Sequence, residues 1–78
     1  MREQANGKLY ELEERVFGDV MDAVRAASAP ATVKRGWTDA AMAVLVDAQE
    51  AAGRDTLDAI AATARLDALM AEIVRERG

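Results

Sequence analysis

Residues 6–28, NGKLYELEERVFGDVMDAVRAAS, decide the fold. Within them Leu9, Leu12, Val16, Val20, Ala23 and Ala27 recur every three or four residues, the spacing that lines one side of an α-helix. Asn6 is a candidate N-cap, and Pro30 closes the segment because proline cannot donate to the helical ladder and pushes Ala29 out of the α region. The spacing therefore predicts a first helix over 7–28 and a linker over 29–37.

The same helix carries a second apolar stripe. Tyr10, Phe17, Met21 and Val24 follow one another at steps of seven, four and three, as in a coiled-coil seam. The two stripes together span about half the cylinder, wider than the roughly 100° that a surface helix buries against its own core. Two neighbouring helices could cover both stripes. The competing expectation is a docking face, with Tyr10, Phe17, Met21 and Val24 as its apolar centre and Glu13, Glu14 and Arg25 as a charged rim that selects register and partner.

Working outward, Thr38 is expected to cap a second helix, with Asp39 at its positive end, and Gly53 to terminate it. Ala41, Val44, Leu45, Ala48 and Ala52 form its core stripe, and Met42 and Val46 extend apolar character onto a flank, so most of this helix is expected to be covered. Asp55 is expected to cap a third helix, with Asp58 at the third helical position. There the phase changes: Leu57, Ile60 and Ala64 share one side, whereas Leu66, Leu69, Met70 and Ile73 lie almost opposite. A straight rod would expose one group, which predicts a bend near residues 65–67, Leu66 and Asp67 acting as staple and N-cap of a last helix. A continuous helix is the rival. The expected fold is all-α, a small single-domain bundle over 1–78 with three to four helices at about 7–28, 39–52, 56–64 and 67–77, the last two alternatively one bent helix.

Composition excludes more functions than any motif supports. The 78 residues contain no histidine and no cysteine, and Ser28 is the only serine. That removes the usual general base near neutral pH, the Ser-His and Cys-His nucleophiles, and ordinary zinc ligands. Glu11, Glu13, Glu14, Asp19 and Asp22 crowd the first helix, but Glu11 with Arg15 and Asp22 with Arg25 have the spacing of surface ion pairs. No EF-hand loop or Glu-x-x-His motif accompanies them. No enzyme, metal, cofactor or small-molecule substrate is expected.

The net charge of −4 disfavours general attraction to nucleic acid or anionic lipid. Neither a membrane-spanning run nor a signal-peptide core is apparent, and the absence of cysteine agrees with a cytoplasmic setting. Alanine dominates the 51% hydrophobic fraction, so a chain this short is expected to build a thin core that association would support.

Two further features compete for a role. Lys34, Arg35 and Trp37 sit in the expected linker just ahead of a helix start, where a phosphate, carboxylate or partner could be received. The plainer expectation is that Trp37 plugs the bundle while the two cations face water. Leu57-Asp58-Ala59-Ile60-Ala61-Ala62-Thr63-Ala64-Arg65-Leu66 resembles the second helix and turn of bacterial helix-turn-helix regulators. That resemblance implies three short helices over residues 39–78 and a DNA-reading last helix. Arg65 stands where those families usually carry glycine, and the last helix is short and apolar, with Glu72 and Glu76 beside Arg75 and Arg77, so nucleic acid is not the expected partner.

The expected activity is protein binding through helix 1, most simply as a homodimer. The alternatives are a phage or mobile-element inhibitor or assembly factor, of anti-CRISPR or tail-assembly type, and a helix-turn-helix regulator.

Overall fold

Three helices, joined by two short connections, pack into a rod of 42 × 16 × 16 Å. The computed structural model describes the backbone of residues 2–76 and the side chains of residues 7–76. The first helix, α1, comprises an α-helical part Arg2–Glu14, a wider π-helical part Arg15–Val20 and a second α-helical part Met21–Ala26. Helix α2 spans Ala31–Gly53 and α3 spans Ala59–Glu76. Short connections make neighbours antiparallel, and each helix touches the other two. The fold is the expected all-α bundle.

The core follows the periodic residues. Leu12, Val16, Val20, Ala23 and Ala27 of the first segment meet Trp37, Ala41, Val44, Leu45 and Ala48 of α2 and Ala62, Leu66, Leu69 and Ile73 of α3. No polar side chain is buried among the described residues. Ion pairs instead span the grooves: Arg15 donates to Asp67 between α1 and α3, and Arg65 to Asp47 between α2 and α3 at 3.1 Å. Exposed pairs of this kind contribute about 0–1 kcal/mol each, so they refine the register of helices that apolar packing already holds.

Several boundaries differ from the periodicity's forecast, each for a local reason. Helix α1 starts at Arg2, so Asn6 lies inside it; the side chain of Asn6 is outside the described residues. It ends with Ala27 in extended conformation at ψ 143°, leaving Ser28 outside. The linker is correspondingly short. Pro30 caps α2, its carbonyl accepting from the Lys34 N–H at 3.0 Å, because proline terminates one helix yet starts the next without losing a needed donor. Thr38 consequently sits within α2 and its hydroxyl donates to the Lys34 carbonyl at 3.0 Å, in place of capping anything. Glycine at position 36 did not delay the helix. A Cβ there would meet nothing within 4 Å, so Gly36→Ala is expected to raise the unfolding free energy by about 0.5–1 kcal/mol, measured by urea denaturation.

At the other end, Gly53 is the last residue of α2, as expected, but the left-handed position falls on Asp55 at φ 58°. The Thr56 N–H donates to the Ala51 carbonyl at 2.8 Å and the Asp55 N–H to the Ala52 carbonyl at 3.2 Å, the paired bonds of a Schellman motif. Asp55 thus closes α2 and does not cap α3. The cap is Asp58, whose carboxylate accepts from the Ala61 N–H at 3.0 Å. Asp58→Ala is expected to cost about 1 kcal/mol in the same denaturation measurement, the usual loss for an N-cap.

Helix α3 runs unbroken through residues 65–67, so the segments expected at 56–64 and 67–77 form one helix. The phase conflict is resolved differently: Leu57 stays outside the helix and packs on the core, while Ile60 is left 83% exposed and Ala64 faces solvent. A helix-turn-helix needs a turn where this helix continues, so the resemblance at 57–66 is not carried into the fold. Helix α2 is also less covered than expected, with Val46 exposed and only Met42 of that flank packed against the core. No described helix is long and apolar enough to cross a membrane.

Candidate interaction surface

In a bundle two helices thick, α1 has two neighbours and both cover the same stripe. Leu12, Val16 and Val20 face α2 and α3, and among the described residues no further helix covers the second stripe. Tyr10 is accordingly 63% exposed and Phe17 55% exposed. Met21 is half-buried, its stem packed against the core at the edge of this face.

Val24 departs from the expected seam: it is 6% exposed and belongs to the core. The cause is the π-helical part Arg15–Val20, where the Met21 N–H reaches back five residues to the Val16 carbonyl. In an ordinary helix residues seven apart differ by about 20° in direction. The wider turn advances less per residue, so Val24 lags behind Phe17 and falls on the core side. Glu13 is half-buried beside the face, Glu14 is exposed, and Arg25 is exposed and donates to Asp22 three residues back.

Lys34, Arg35 and Trp37 do not converge. Because α2 already begins at Ala31, these residues lie in its first two turns and point in different directions. Lys34 donates through Nζ to the Arg25 carbonyl at 3.4 Å, placing a cation at the negative end of α1. Arg35 faces solvent and Trp37 is buried in the core, as the plainer expectation had it. The three residues thus stand on a helix, where a loop was expected.

Ile60 is the exposed apolar side chain that periodicity missed, since its spacing with Leu57 and Ala64 placed it in a core stripe. It borders a hollow of about 390 Å³ with Lys8, Glu11 and Thr63, on the flank of α1 away from Phe17. An adjoining groove of about 460 Å³ is lined by Lys8, Glu11, Glu14, Arg15 and Asp19 with Ala59 and Thr63. Its charges are of both signs, and no group of three metal-ligating side chains gathers anywhere among the described residues. Val33, Val46 and Val74 are also exposed, which is ordinary for a protein surface. Among the described residues, the exposed aromatic side chains are Tyr10 and Phe17, both on α1.

No protein-family model matches the chain, and neither the curated proteins nor the solved structures contain a match to it. The surface itself has to carry the functional reading.

Proposed function

We propose that this chain is a small non-enzymatic protein-binding module that works in the cytoplasm through the Tyr10, Phe17 and Met21 face of α1. The observation that carries this reading is the exposure of Tyr10 and Phe17 on a helix whose other side already fills the core. Exposed aromatic and methionine side chains together are enriched at protein interfaces, where they supply contact area at little entropic cost. Glu13, Glu14 and Arg25 border the face and would tune orientation and association rate more than affinity. A composition without histidine, cysteine or any serine but the exposed Ser28 supports binding over catalysis.

The test is a photo-reactive benzophenone side chain at position 17, with the exposed Ala68 of α3 as the control position. Discrete protein adducts at position 17, missing at position 68, are the expected result. Equal labelling at both positions, or none at position 17, overturns the proposal.

A further inference from the structure

We infer that the partner is a second copy of this chain, docked antiparallel along α1 across a two-fold axis, an inference that rests on the docking-face reading above. Its basis is a stripe that is complementary to its own reverse. Glu13, Phe17, Met21 and Arg25 follow one another at steps of four, an acid, two apolar side chains and a base. In a continuous α-helix, residues four apart drift by about 40° at each step, so such a row would wind around the rod. The π-helical part Arg15–Val20 lies under the middle of the row, and its smaller advance per residue offsets the drift. The four side chains are thereby aligned along one side of α1, each half-buried or exposed.

Reversing the row about residue 19 maps it onto itself. Phe17 meets Met21 of the second copy and Met21 meets its Phe17. Glu13 meets Arg25 at one end, and Arg25 meets Glu13 at the other. An isologous two-fold interface requires this reciprocity. A parallel arrangement would instead set Glu13 against Glu13 and Arg25 against Arg25. Glu13 has no ion-pair partner among the described residues, and Arg25 holds Asp22 through one nitrogen, leaving other donors of its guanidinium for a second carboxylate. The π turn thus aligns the contact face at the same time as it turns Val24 into the core.

The chain has no cysteine, which makes disulfide mapping clean. Glu13→Cys and Arg25→Cys proteins, mixed and oxidised, are expected to form the mixed disulfide in preference to either homotypic one. In sedimentation velocity, Glu13→Arg and Arg25→Glu are each expected to weaken self-association roughly fivefold or more, and the double variant to restore it. All four substitutions lie outside the core, and circular dichroism checks that the fold is retained.

Self-association that Phe17→Ala abolishes but the charge reversals leave unchanged, or homotypic disulfides in excess, overturns the antiparallel pairing while leaving the docking face in place. A wild-type chain that stays monomeric at hundreds of micromolar overturns the second copy as partner, and the adducts at position 17 then decide the docking face alone.

Discussion

Trp37→Ala is expected to lower the unfolding free energy by about 3–5 kcal/mol, a large share of the roughly 4–12 kcal/mol available to a chain of this size. Five of the fifteen buried core residues are alanines, so a few large side chains supply most of the buried area. Trp37, 6% exposed, is the largest of them. A core with this share of alanine has little side-chain volume with which to refill a cavity, which places the cost at the upper end for such truncations. Urea denaturation followed by circular dichroism should show an earlier midpoint, with unfolding before any urea is added as the extreme case. A loss below about 1 kcal/mol would contradict a core role, since that is the scale of a surface position.

Phe17→Ala should show the reverse profile. Its ring is mostly in solvent, so truncation is expected to change protomer stability by no more than about 0.5–1 kcal/mol. Association is expected to weaken at least tenfold, because an aromatic at the centre of a contact is the residue type that dominates binding energy. Glu14→Ala, at the rim, should change affinity little. Val16→Ala, one residue away but fully buried, should destabilise the fold instead. Sedimentation velocity over a concentration series, paired with urea denaturation, separates the two effects. If Phe17→Ala unfolds the chain as readily as Val16→Ala, the ring is a core residue and the docking face is lost.

Much of the fold was legible because α1 and α2 each carry a stripe with one clear period. Leu12, Val16 and Val20, and likewise Ala41, Val44, Leu45 and Ala48, end up buried where their spacing put them. The ambiguities lay where one residue serves two purposes. Pro30 both stops a helix and starts another, and reading only the first role lengthened the linker by seven residues that are helical. Asp55 and Asp58 are equally good caps by type; the Schellman bonds at the end of α2 draw Asp55 into the left-handed turn and leave Asp58 to cap α3. The apolar groups of α3 disagree in phase, and bending was one way to bury both. The chain instead keeps the helix continuous and exposes Ile60.

Tyr10 and Phe17 stay exposed because two stripes on one helix exceed what two neighbours can cover. Val24 was misplaced because no residue type announces a π turn. Gly18 within Arg15–Val20 is compatible with one but does not demand it.

Hydroxyl-radical footprinting of Tyr10 and Phe17 over a dilution series tests most directly whether α1 carries apolar surface that its own protomer leaves bare. The account predicts rapid oxidation of both rings in dilute protein and protection of Phe17 as concentration rises and copies pair. Rings that resist oxidation at every dilution would be sealed inside the protomer, and that result would contradict it.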